Sequence, residues 1–224
     1  MNLLSFVLIF TLNLDLLNKH VIFAQQRQFY SLLNFKNISS MTLTAFEKIS
    51  VAEFLERDDF EEGYIYELIN GIIMKRASPH AKHQDAVGNI FALVRAYVKE
   101  KNLGKCYVAP LDIILDDYDI LQPDVFFIAK DRLYIVDKYV NSAPDLVVEV
   151  LSQGTTKLDR NDKMKAYKKY GVAEYWIVDY HKKTIEVYAL INGDYDMVFL
   201  AEETGFIESQ LLNGLKIDLD DIFN

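Results

Sequence analysis

The chain has 224 residues, 51% of them hydrophobic, and 24 Lys and Arg against 33 Asp and Glu give a formal charge of −9. This supports one ordinary domain with room for an appended segment, and no stretch is Pro-, Gly- or Ser-rich enough to read as disordered. The acidic balance works against general adhesion to nucleic acid or anionic membrane, so a DNA or RNA partner requires a local basic patch or neutralisation by metal. The single cysteine, Cys106, excludes an intramolecular disulfide and points to a reducing, cytoplasmic compartment.

Residues 1–40 differ from the rest. The apolar run Leu3 to Leu12 is too short to span a membrane, and no Lys or Arg precedes Lys19 as a signal peptide requires. We expect residues 1–40 to be an extension outside the fold, either an upstream in-frame addition or a weakly ordered arm. Residues 41–224 then form the domain, with Met41 as an adequate start. Ser50 is placed to cap a short helix over 51–57 through Glu53. Tyr64–Ile69 and Ile72–Met74 read as a hairpin closed by Asn70-Gly71, the pair that supplies two positive-φ residues for a primed turn. Asp85–Lys101 is a predicted helix with Val87, Ile90, Phe91, Val94 and Val98 on its packed face and Gly104 as its stop. Strands are predicted at 106–115, 124–128 and 145–151. A second helix runs over 158–170 to Gly171, and strands at 174–178, 184–190 and 195–200 complete the order. The pattern is mixed α/β, of the α+β type, ending in an antiparallel meander.

Chemistry enters through carboxylates set among apolar residues, where an unpaired charge is costly. Asp124 shares a strand face with Phe126 and Ile128, and Glu149 with Val147 and Leu151. Two such acids on adjacent strands would hold Mg²⁺ or Mn²⁺ with several waters retained. A metal held so can polarise a phosphoryl oxygen and activate water. The bland alternative is a strand-end cap or a surface ion pair, and for Asp145, next to Pro144, it is the better reading. Lys163 shares an inward helical face with Ala166, Tyr167 and Tyr170, with Asp159 four residues before it. It is a candidate for stabilising charge that develops in a transition state, or else the partner of a salt bridge. Glu67, in the hairpin, is a further buried acid, and His83 lies one turn before Val87 on the packed helix face. Either joins the site if the two converge, and otherwise His83 is a structural histidine.

The pieces Tyr66-Glu-Leu-Ile-Asn-Gly71, Ser78-Pro-His-Ala-Lys-His83, Gln122-Pro-Asp-Val125, Ala143-Pro-Asp-Leu-Val-Val-Glu-Val-Leu-Ser152, Asp159-Arg-Asn-Asp-Lys-Met-Lys-Ala-Tyr167 and Gly171-Val-Ala-Glu-Tyr-Trp-Ile-Val-Asp179 together resemble the Uma family of the PD-(D/E)xK nuclease superfamily. The resemblance covers residues 42–222. It implies a restriction-endonuclease-like core, a mixed β-sheet flanked by helices, and metal-dependent cleavage of phosphodiester bonds, in DNA with RNA as the other candidate. Asp124 then resembles the aspartate of the PD element and Glu149 the acid of the (D/E)xK element. The lysine expected two residues after the glutamate is Leu151 here, and Lys163 is the candidate to replace it. Glu67 and His83 complete the expected catalytic set, with Mg²⁺ or Mn²⁺ as cofactor and a homodimer as one assembly. The alternatives are an inactive nucleic-acid-binding or assembly protein that keeps the fold, or an unrelated hydrolase.

Overall fold

Local signals set the first elements of the computed structural model, which describes residues 48–152, 156 and 158–224. The expected N-terminal extension over 1–40 lies outside the described residues. Ser50 and Glu53 form a reciprocal capping box that opens helix α1, Val51–Leu55, two residues shorter than expected. Strands β1, Tyr64–Ile69, and β2, Ile72–Ala77, pair antiparallel, with Asn70 at φ 52° and Gly71 at φ 76° in the turn. A side chain at Gly71 would also press on Lys48, since a Cβ there would lie 2.8 Å from the Lys48 Cβ.

Helix α2, Ala81–Glu100, begins four residues before the predicted start, so His83 belongs to its first turn. The strand expected over 106–115 is two: β3, Gly104–Val108, and β4, Ile113–Asp116. Pro110 separates them, because it has no N–H for a ladder. Strand β5, Asp119–Leu121, leads through Gln122 and Pro123 to β6, Val125–Ala129. Asp124 thus stands at the mouth of β6 and not within it, a correction to the predicted strand.

Strand β7, Leu146–Val150, is followed by a π-helical turn, Leu158–Lys163, and then α3, Met164–Lys169. The sequence predicts one continuous α-helix there. Residues four apart fall nearly on one face in this turn as in an α-helix, and Asp159 and Lys163 are both buried. Strands β8, Glu174–Asp179, β9, Thr184–Ile191, and β10, Asp194–Glu202, form the expected meander. A small pair, β11, Phe206–Glu208, and β12, Lys216–Asp218, and helix α4, Asp220–Phe223, close the chain and were not foreseen.

The strands make a six-stranded sheet ordered β10-β9-β8-β7-β6-β3 and a four-stranded sheet ordered β2-β1-β5-β4. All neighbours in the larger sheet are antiparallel except β7 and β8. Alternation divides its side chains between two cores. Val125, Phe127, Val148 and Trp176 pack with Val87, Ile90, Val94 and Val98 of α2. Phe126, Ile128, Val147 and Tyr175 pack on the other face with Ala166 and Tyr167 of α3. Among the described residues no helix is long and apolar enough to cross a membrane.

Candidate active site

The antiparallel register of β6 and β7 pairs Val125 with Val148, so continuing it by one residue sets Asp124 opposite Glu149. Both are buried. Asp124 Oδ2 accepts the Val150 N–H at 2.8 Å, which fixes the carboxylate against the neighbouring strand. His83, on the first turn of α2, places Nε2 2.8 Å from the Val150 carbonyl oxygen and 3.4 Å from Asp124 Oδ2.

Lys163 joins the two sheets. Its Nζ lies 3.0 Å from Glu149 Oε1 on β7 and 3.0 Å from Glu67 Oε1 on β1, with Asp159 Oδ1 at 3.6 Å. Tyr167, one turn on, donates its hydroxyl to the same Glu149 oxygen at 2.8 Å. The helical spacing thus brings Lys163 and Tyr167 to one carboxylate, and Lys163 is fully buried. Lys165 is exposed, while Lys168 pairs with Asp194 and Lys169 with Asp116, so the opposite face is solvated as expected.

Glu67 also grips the segment that leads to Asp124, for its Oε1 accepts the Gln122 N–H at 2.8 Å. Arg76 of β2 donates to the Gln122 carbonyl at 3.0 Å. The hairpin therefore holds both backbone groups of Gln122, two residues before Asp124. Arg76 Nε lies 3.2 Å from Glu67 Oε2, an ion pair at an angle that gives no hydrogen bond, so both atoms are buried without one. His83 Nδ1 is likewise buried without a partner. Sequence reasoning missed Arg76. Its one available signal was a cation on the strand paired with Glu67.

Asp145 takes no part. Its carboxylate accepts the Ala129 N–H at 2.8 Å and Arg132 Nη1 at 2.7 Å, the strand-end cap expected of it.

The cluster holds four buried carboxylates, Glu67, Asp124, Glu149 and Asp159, against two cations, Lys163 and Arg76. Burial, together with Asp159, Asp124 and Glu67, pushes the Glu149 carboxyl up to about 8 despite the attraction of Lys163. Burial would also raise Asp124, but His83, Arg76 and Lys163 outweigh it and hold that carboxyl below its ordinary value. For Lys163 burial is opposed by Glu149, Glu67 and Asp159, which keep the ammonium charged. A buried site with more acids than bases must keep a proton or take up a cation.

Asp124 and Glu149 each engage one oxygen in these contacts and offer hard donors from adjacent strands, a pair suited to Mg²⁺ or Mn²⁺. Among the described residues no three His, Cys, Asp or Glu side chains are grouped to hold a metal ion. The two carboxylates could hold such an ion only with water filling the remaining positions.

A family model described as "Uma2: Putative restriction endonuclease" matches residues 51–220. A solved chain from Anabaena variabilis ATCC 29413, described as "a putative nuclease belonging to DUF820", aligns with a TM-score of 0.65 at 22% identity, over 78% of this chain and 97% of that one. At that identity the likeness speaks for the fold, which is restriction-endonuclease-like. No curated protein matches the chain. With its model matched from Val51 to Asp220, on a mixed sheet that sets Asp124 beside Glu149, the chain belongs to the Uma2 family.

Proposed function

We propose that the chain is a metal-dependent endonuclease that hydrolyses phosphodiester bonds in DNA, with Asp124 and Glu149 as the metal-holding pair. The excess of buried carboxylates over cations carries this reading, because a divalent cation would displace the proton that Glu149 otherwise keeps. Bound there, such a cation would polarise a phosphoryl oxygen and lower the pKa of its bound water. The protein's own part is positioning. The Val150 N–H and His83 hold Asp124 at the strand mouth, and Lys163 and Tyr167 hold one oxygen of Glu149. Lys163 provides the cation absent at Leu151. Tied to three acids, it acts on Glu149 and Glu67 and not on the substrate directly.

The full burial of Lys163 and the leucine at position 151 favour a second reading, a fold kept for nucleic-acid binding or assembly without catalysis. Incubation of supercoiled plasmid and single-stranded circular DNA with Mg²⁺ or Mn²⁺ separates the two. The nuclease reading expects nicking that EDTA abolishes and that Asp124→Asn lacks. DNA retention without cleavage in either metal would replace it with the second reading.

A further inference from the structure

Helix α2 begins at the acid cluster with His83 and ends beside β3, one of the two edge strands of the six-stranded sheet. There Arg95 and Lys99, four residues apart on α2, and Lys105 on β3 line a cavity of about 380 Å³ together with Cys106 and Tyr107. All three cations are exposed, and among the described residues none of them forms an ion pair. Their neighbour Lys101, by contrast, is tied to Glu100 at 2.9 Å. The Arg95 guanidinium lies 5.4 Å from the centre of the Phe91 ring, which steadies its long side chain.

Unpaired positive charge gathered in one place is unexpected in a chain of formal charge −9. Lysines on edge strands block unwanted pairing between sheets, which accounts for Lys105. It does not account for Arg95 and Lys99, which lie on the helix. Acidic composition means that nucleic acid must be met locally, and this patch has the complementary charge.

We propose that Arg95, Lys99 and Lys105 dock the sugar–phosphate backbone of a nucleic acid whose cleaved bond lies at the acid cluster, an inference that rests on the nuclease reading of that cluster. His83 and Lys99 are sixteen residues apart on one helix, which is about 24 Å at the helical rise. A backbone that ran alongside α2 would, at ~3.4 Å of rise per phosphate of one strand, reach the patch roughly seven nucleotides from the site. Arg95 offers a planar fork that can grasp a phosphate bidentately, while the lysines act as point charges. Such contacts fix position and carry no sequence information.

Fluorescence anisotropy of a labelled 24-base-pair duplex in EDTA, over a range of salt concentrations, tests the patch. The triple variant Arg95→Gln/Lys99→Gln/Lys105→Gln should bind more weakly than wild type. Its slope of log K against log salt should be shallower by about 2–3, at roughly 0.9 for each phosphate no longer neutralised. Arg95→Lys alone, which keeps the charge, should retain most of the slope, and far-UV circular dichroism of the triple variant should match wild type. An unchanged slope, or no binding of the duplex by wild type, overturns the proposal. A change in sedimenting mass of the triple variant with unchanged DNA affinity also overturns it, by making the patch an interface between copies. Plasmid cleavage is read separately. Cleavage with an unaltered salt slope removes the patch alone, and a patch effect without cleavage removes the nuclease reading alone.

Discussion

Replacing Lys163 with Met asks how much of the fold depends on one buried cation. The methionine approximates the volume of the stem and removes the charge that stands 3.0 Å from both Glu67 and Glu149. Each ion pair at that distance corresponds to roughly 5 kcal/mol of attraction at an effective dielectric constant of about 20. Desolvation of the ammonium, several kcal/mol, offsets much of this, and removing one partner of a buried pair costs about 3–5 kcal/mol net. Against an ordinary domain stability of roughly 5–15 kcal/mol, that is a large fraction. Urea unfolding without metal, followed by the fluorescence of the only tryptophan, buried Trp176, measures it. The loss should be greater at pH 9 than at pH 6, because at lower pH Glu149 takes up a proton and relieves the repulsion. Lys163→Met/Glu149→Gln should recover about 2 kcal/mol or more, since it leaves Glu67 with Arg76 and removes one unpaired charge. A single variant within about 1 kcal/mol of wild type at pH 9, or a double variant less stable than the single, would refute this reasoning.

Other expectations follow from the same contacts. Glu149 is raised from 4.5 to about 8 in the folded state, so the native protein binds this proton more tightly than the unfolded chain does. Metal-free wild type is therefore favoured below pH 4.5 and loses this contribution as pH rises towards 8, by at most roughly 5 kcal/mol relative to Glu149→Gln. Parallel denaturation curves for the two proteins across pH 5–9 would contradict this. Tyr167→Phe keeps the ring in its core and deletes the hydrogen bond to Glu149, so it should lower stability by about 1–2 kcal/mol. A neutral or stabilising effect in urea would show that Lys163 alone satisfies that oxygen. Arg132→Met removes a partly exposed partner of Asp145 and should cost about 1 kcal/mol with no change in cleavage rate. A large loss of activity would place Asp145 in the site after all.

The legible parts of this chain are those specified by neighbours in sequence. The Ser50–Glu53 box, the Asn70-Gly71 turn and the apolar face of α2 each depend on residues within a turn or two. The acids were legible for a related reason, because Glu67 and Glu149 stand in runs whose other members are apolar. Lys163 emerged from helical spacing, though the backbone beneath it is a π turn, which apolar periodicity does not distinguish from α. Arg76 was not legible, since its partner Gln122 is 46 residues away and the end of a hairpin strand reads as solvated. The break at Pro110 was written in the sequence but obscured by the apolar residues on both sides of it. Strands β11 and β12 are three residues each and depend on pairing across a loop, which leaves little local pattern.

The central claim is that Asp124 and Glu149 act together on a phosphodiester bond. Its most direct test is the single-turnover cleavage rate of plasmid DNA at saturating Mn²⁺ for wild type and Glu149→Gln, prepared identically. The claim predicts cleavage by wild type and a rate lower by about 10²–10³-fold in the variant, the usual consequence of losing a central electrostatic group. Equal rates in the two preparations, or no cleavage by wild type, would contradict it.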